Sequence, residues 1–304
     1  MAQQHLEGKV AIVTGGAGGI GTQICTEFAR QGAKVIVADT GADVEGRMGV
    51  DATRVNAVVD SIRAAGGEAL ASIGDIADMD YAESVIRLAL DRYGKLDILV
   101  CAHGILRERM IFNMTEDEWD GVVRTHLKGC FAPTKFASIY WRQVKLGGRL
   151  IYFTSSAGIR GGAGQPNYSA AHSGKIGLML SCAQALGRYG VTANCISPGA
   201  STRMTDRGRG VDQSGAAPSL SAAGTAMDPA NIVPPIVYLA SDRGASTTGK
   251  VVGVTGNKLT MWRQSQWEAS IYYEEPFWDI DRLFEEMPAT LQAIGVAPPP
   301  QQFP

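Results

Sequence analysis

Residues Val10–Gly21 constrain this chain more than any other stretch. Val10–Thr14 (VAIVT) is a short run of β-branched and apolar residues, the pattern of a strand buried on both faces of a sheet. Seven residues, Gly15-Gly-Ala-Gly-Gly-Ile-Gly21, follow at once, and beyond them Ile24, Phe28 and Ala29 form one helical stripe that Gly32 ends. Strand, glycine turn and helix in that order predict a βα unit. Its side-chain-free turn lets backbone N–H groups approach a pyrophosphate at a helix N-terminus. The turn fits two templates: Gly16, Gly18 and Gly21 match G-x-G-x-x-G, while Thr14, Gly15, Gly19 and Gly21 match T-G-x-x-x-G-x-G. The next strand, residues 34–40, closes in Asp39, 18 residues after Gly21. A carboxylate there accepts both ribose hydroxyls of an adenosine and repels a 2′-phosphate, and Thr40 offers such a phosphate no cation. NAD is therefore expected over NADP.

The alternation continues. Helices around 53–65, 79–93, 115–142, 166–189 and 229–240 interleave with strands around 69–73, 96–101, 149–154, 192–196 and 250–255. Repeated βα units with apolar strands predict an α/β fold: a single doubly wound Rossmann-type domain over residues 1–256, with a seven-stranded parallel sheet and helices on both faces. Residues 201–227 contain a long stretch of Ser, Ala, Gly and Arg without periodicity, expected to be a substrate lid. Residues 257–304 differ in kind. They hold three of the five tryptophans (Trp262, Trp267, Trp278) with Tyr272, Tyr273 and Phe277, and three basic against seven acidic side chains. This aromatic-rich extension is expected to pack on its own domain or on a neighbouring subunit.

Composition narrows the class. With 45% hydrophobic and 19% charged residues the chain can build a core. A net charge of −2 leaves no electrostatic footprint for nucleic acid. The five cysteines are scattered, odd in number and never spaced C-x-x-C, so they read as reduced thiols without a disulfide frame or a zinc site. The first residues lack the apolar run of a signal peptide, and no window of 18 apolar residues exists, so no membrane partner and a cytoplasmic location are expected.

Ser155 follows the fifth strand, and Tyr168 comes 13 residues later near the start of a helix. Both can face the crevice at the carboxyl edge of the sheet. The pair suits hydride chemistry: the serine holds a carbonyl oxygen and the tyrosine exchanges its proton. Over roughly residues 6–254 the sequence resembles the short-chain dehydrogenase/reductase family. The pieces that carry the resemblance are the Thr14–Gly21 turn, Asp39, Asp75 in the triplet GDI, Ser155, Tyr168 and Asn194-Cys-Ile-Ser-Pro198-Gly199-Ala-Ser-Thr202. More narrowly, Gly104-Ile-Leu-Arg, Met114-Thr-Glu-Asp-Glu-Trp-Asp and His126-Leu-Lys-Gly129 are similar to the branch with hydroxyacyl-CoA dehydrogenases, multifunctional enzyme type 2 among them.

The resemblance implies a cofactor site of Gly15, Gly19, Ile20, Gly21, Asp39, Asp75, Ile76, His103, Gly104, His172, Pro198, Gly199 and Thr202. It also implies a catalytic set of Ser155, Tyr168, His172 and His126, a small-molecule substrate, and a homotetramer or homodimer. The implied activity is NAD-dependent interconversion of a secondary alcohol and a ketone, the substrate being a 3-hydroxyacyl-CoA or a bulky alicyclic or steroid-like alcohol. The arginines of the lid (Arg203, Arg207, Arg209) either meet a CoA phosphate or form a solvated face.

The chain departs from the family where chemistry is decided. Tyr-x-x-x-Lys reads Tyr168-Ser-Ala-Ala-His172, Asn-Asn-Ala-Gly reads Cys101-Ala-His103-Gly104, and the central-helix asparagine is His126. The three histidines lie on separate elements without ligand spacing, so no metal is expected. Tyr168 and His172 share a helix face at i,i+4. An imidazole can bond a ribose hydroxyl but, largely neutral above pH 7, lowers the tyrosine's pKa less than a lysine would. Lys175 lies about 10 Å further along the axis, within reach of His172 at i+3 but too far to replace an ammonium at the tyrosine. The competing expectation is a homologue that binds the cofactor but turns over poorly, with a structural or regulatory role.

Overall fold

Alternate residues of the first strand serve two different cores. A computed structural model of the protein describes residues 4–206, 219, 221–263 and 279–293. In β1 (Val10–Thr14), Ala11 and Val13 face one hydrophobic cluster while Val10 and Ile12 face another. A parallel strand covered on both faces must be apolar at every position, as VAIVT is. The parallel strands continue as β2 (Lys34–Asp39), β3 (Glu68–Ile73), β4 (Ile98–Cys101), β5 (Gly148–Phe153), β6 (Val191–Gly199) and β7 (Lys250–Thr255). Helix α1 (Gly19–Arg30) buries Ile24 and Phe28 in the first cluster, which it shares with α2 (Ala52–Ala64) and α9 (Val233–Ala240). The second cluster receives α3 (Met79–Tyr93), α5 (Gly129–Val144) and α7 (Pro166–Leu186), with Trp141 fully buried.

The sheet order is β3-β2-β1-β4-β5-β6-β7-β8. Strand order reverses between β1 and β4, and the crevice beyond the carboxyl ends of those two strands is where this topology receives ligands. The sheet has eight strands, not the seven expected. Lys258–Trp262 (β8) turns back after Gly256 and pairs antiparallel with β7, so that Val251 lies opposite Trp262. From Leu259 to Trp262 exposed residues alternate with half-buried ones, a one-faced edge pattern inside the stretch that the sequence places in the aromatic-rich extension.

The expected helix over 115–142 is in fact three pieces. Glu116–Val123 (α4) passes into a π turn at Arg124–Lys128, and α5 follows. Two short helices, α6 (Ser156–Arg160) and α8 (Arg203–Asp206), complete the unit. The chain divides into two compact units, Met1–Trp262 and Arg263–Pro304. Of the second, Ile280–Ala293 (α10) is described. About half of the expected lid, residues 207–218 and 220 with Arg207 and Arg209, lies outside the described residues, as do 264–278 with Trp267, Tyr272, Tyr273, Phe277 and Trp278. Among the described residues no helix is long and apolar enough to cross a membrane, and no group of three or more His, Cys, Asp or Glu is placed to hold a metal ion.

Candidate active site

The glycine turn closes so tightly that a Cβ on Gly21 would overlap the Gly15 carbonyl oxygen. The turn and the first residues of α1 (Gly15, Gly19, Ile20, Gly21) line one end of a cleft of about 480 Å³. Asp39, at the end of β2, stands beside the turn. Its two carboxylate oxygens accept the Ala17 and Gly41 N–H groups at 2.9 and 2.8 Å. A carboxylate has about four lone-pair sites, so each oxygen keeps one for a ribose hydroxyl. Arg54 reaches the same corner and donates to the Ala17 carbonyl at 3.3 Å.

Further along the cleft come Asp75 and Ile76, beyond β3. Asp75 accepts the Ala77 N–H at 2.9 Å and forms an ion pair with Arg124. His103 and Gly104 follow β4; His103 Nδ1 is hydrogen-bonded to the Thr14 hydroxyl at 2.5 Å, joining the β4 loop to the end of β1. Thr202 and Pro198, at the β6 end, line the cleft opposite the turn, where Thr202 lies against Gly19. Gly199 is set back from the cleft, packed on Thr255. Ser155 also sits outside the lining: it caps α6, accepting the Ala157 N–H at 3.2 Å, and its hydroxyl is close enough to the Tyr168 phenol to lower its pKa.

The inner end is a stack of rings. Tyr168 and His172 lie one turn apart on α7 with centroids 4.0 Å apart, and His126 meets them at 5.0 and 4.6 Å. The π turn aims His126 inward, where its ring fills the space a side chain on Gly104 would need. Burial pushes the Tyr168 phenol up to about 12; the Ser155 hydroxyl pulls it down and the Glu108 carboxylate raises it. Burial, with the Lys175 ammonium second, holds both His126 and His172 well below the ordinary imidazole range. Both imidazoles are therefore neutral at pH 7, and among the described residues no cation bears on the phenol.

His172 is buried with neither ring nitrogen hydrogen-bonded, and His103 Nε2 is likewise unpartnered. Buried polar atoms left so on the wall of a cleft fit a polar ligand. Lys175 does not turn to His172 as i,i+3 geometry permits. It is wholly buried and donates to His126 Nδ1 and to the Phe153 carbonyl, each at 3.0 Å. Two further groups escaped sequence reasoning. Arg107, nearly buried, ties Glu45 O (2.9 Å) to Asp117 O (2.8 Å) and lines the cleft. Asn167, fully buried, donates to the Arg107 and Glu118 carbonyls at 3.0 and 2.8 Å and accepts the Tyr168 N–H at 2.7 Å. Only its place beside Tyr168 signalled it.

Residues 9–212 match the family model described as short chain dehydrogenase. The chain belongs to the short-chain dehydrogenase family. Among curated members it is 38% identical over 309 residues to hydroxyacyl-CoA dehydrogenase ChsB1 of Mycobacterium tuberculosis, covering 98% of this chain and 92% of that one. It is 33% identical to the (2S)-[(R)-hydroxy(phenyl)methyl]succinyl-CoA dehydrogenase subunit BbsD of Thauera aromatica, over 83% of this chain and 97% of the relative. A short chain dehydrogenase from Mycobacterium avium of known crystal structure superposes with a TM-score of 0.81 at 38% identity, covering 97% of this chain and 98% of that chain. The protein is thus an oxidoreductase of this family, with hydroxyacyl-CoA dehydrogenases among its relatives.

Proposed function

We propose that the protein interconverts a secondary alcohol and a ketone with NAD, and that 3-hydroxyacyl-CoA thioesters are its first substrate class, ahead of bulky alicyclic or steroid-like alcohols. One observation carries the reading: a single cleft joins the glycine turn and Asp39 at one end to Tyr168 and the unpartnered nitrogens of His172 at the other. The bound nicotinamide supplies or takes up the hydride. Asp39 holds the adenosine ribose and disfavours a 2′-phosphate. His172 offers one ring N–H and one lone pair to the nicotinamide ribose. Tyr168 gives its proton to the substrate oxygen in reduction and takes it in oxidation, and Ser155 fixes that oxygen beside the phenol. The acyl-CoA class is supported by the CoA thioester dehydrogenases among the relatives. A homodimer or homotetramer is supported by Trp119, Phe131 and Ile139, large apolar side chains exposed on α4 and α5.

The test is binding of NAD and NADP, followed by oxidation of 3-hydroxyacyl-CoAs and secondary alcohols from pH 6 to 10, wild type beside His172→Lys. Tighter NAD binding and turnover of a 3-hydroxyacyl-CoA are expected. The variant should be faster near pH 7, because a cation beside the phenol lowers its pKa. Tighter NADP binding, or no dinucleotide binding, would end the reading. Tight NAD binding with turnover only in the variant would instead favour a protein kept for binding.

A further inference from the structure

Lys175 takes no part in the chemistry just described, yet among the described residues it is the most deeply buried charge, at 0% exposure. Neither of its two hydrogen-bond partners is a carboxylate. The titratable groups around it are His126 on the π turn, His172 on its own helix, the thiols of Cys101 on β4, Cys130 on α5 and Cys195 on β6, and His103 and Tyr168 beyond the imidazoles. A buried ammonium without an anionic partner is costly, and a fold that only needed to fill the space would do better with an apolar side chain.

What it does is written at the far side of the His126 ring. There Nε2 faces both polar groups of Ile105, the carbonyl oxygen at 2.7 Å and the N–H at 3.1 Å. One nitrogen cannot serve both. Protonated, it donates to the carbonyl; bare, it accepts from the N–H. The choice is made at Nδ1, which Lys175 holds. An ammonium can only donate, so Nδ1 is bare and Nε2 carries the proton. An uncharged amine accepts from Nδ1–H while still donating to the Phe153 carbonyl, and Nε2 is then bare. Each state leaves both imidazole nitrogens paired.

We propose that Lys175 and His126 form a proton-coupled tautomer switch that positions the Ile105 backbone on the cleft wall. The protons balance: Nζ passes one to Nδ1, the Nε2 proton leaves to water in the cleft, and the imidazole stays neutral throughout. Burial lowers the Lys175 pKa from its ordinary value, while the three thiols pull it back up. Burial and the ammonium keep His126 from taking a second proton. The switch therefore runs on the lysine. Ile105 and Gly104 line the cleft beside the ring stack, so the state of Lys175 reaches the wall against which Tyr168 works. That last step rests on the oxidoreductase reading; the switch itself does not.

The experiment is 15N NMR of the histidine rings in the full chain from pH 6 to 10, on wild type, Lys175→Met and Lys175→Arg. In wild type the His126 proton should pass from Nε2 to Nδ1 as pH rises, with a midpoint below the ordinary lysine value of about 10.4. In Lys175→Arg it should remain on Nε2 throughout, because a guanidinium stays charged. Lys175→Met should show no change of tautomer with pH. A single tautomer in wild type across the range overturns the proposal, as does a change that survives in Lys175→Met, or an imidazolium at His126. Methionine keeps most of the volume and removes the buried charge, so this variant should fold at least as well. If it does not, the contrast between wild type and Lys175→Arg decides. The readout needs no turnover, so failure to find a substrate leaves it intact.

Discussion

The Tyr168 phenol gives the sharpest prediction at the scale of single residues. Burial lifts it to about 12 and, among the described residues, no cation lies against it. Oxidation of an alcohol needs the phenolate, whose fraction rises tenfold per pH unit below that value, while reduction needs the phenol, which is saturated. Oxidative kcat/KM should therefore climb through pH 6–10 without a plateau, and reductive kcat/KM should stay flat. A plateau near pH 8 in initial rates would show that another group is the base. Tyr168→Phe should cost about 10²- to 10⁴-fold in kcat. The positions of Tyr168 and His172 at the inner end of the cleft were legible because i,i+4 spacing places residues with little freedom. Lys175 was not. A four-carbon side chain seven residues on can turn several ways, and its partner His126 lies 49 residues away.

At the scale of elements, two helix starts back Arg107 and Tyr168 on the cleft wall. Thr115 and Glu118 form a capping box at the head of α4, and Glu118 also receives Arg109 at 2.8 Å. Arg109, then the Thr115 N–H, holds the Glu118 carboxyl down at about 2. Its contribution is present above the ordinary carboxylate value and is lost as pH falls toward 2, so Glu118→Gln should flatten the acid limb of the stability curve. Thr115→Ala should cost about 1 kcal/mol. Asn167 joins α4, α7 and the β4 loop; Asn167→Ala takes a buried donor from two carbonyls and an acceptor from the Tyr168 N–H, and should cost about 1–3 kcal/mol. Chemical denaturation checks both losses, and a rise in KM should accompany the second. The capping box could be read in Thr115-Glu-Asp-Glu118; the bonds of Asn167 could not, because its acceptors are carbonyls brought in by two other elements.

For the molecule as a whole, seven strands and their helices were legible because a parallel sheet makes each strand an uninterrupted apolar run. The eighth escaped because an antiparallel edge strand exposes one face, and Leu259 and Met261 are on the open side. A chain ending at Thr255 would uncover the edge of β7 and should melt lower and self-associate, as thermal denaturation and size-exclusion chromatography would show. The other feature hidden in the sequence was the π turn, and it matters beyond His126. An α-helix turns about 100° per residue, and a π turn carries one residue more than the α-helix around it. Helix α4 presents Val122 to the core and α5 presents Trp141, two angular settings kept in phase across Arg124–Lys128 by that one added residue. Deleting any one residue there would restore a regular helix and roll one side against the other by about a quarter turn. This stretch has the outward look of an ordinary long helix, but its length is fixed to the residue.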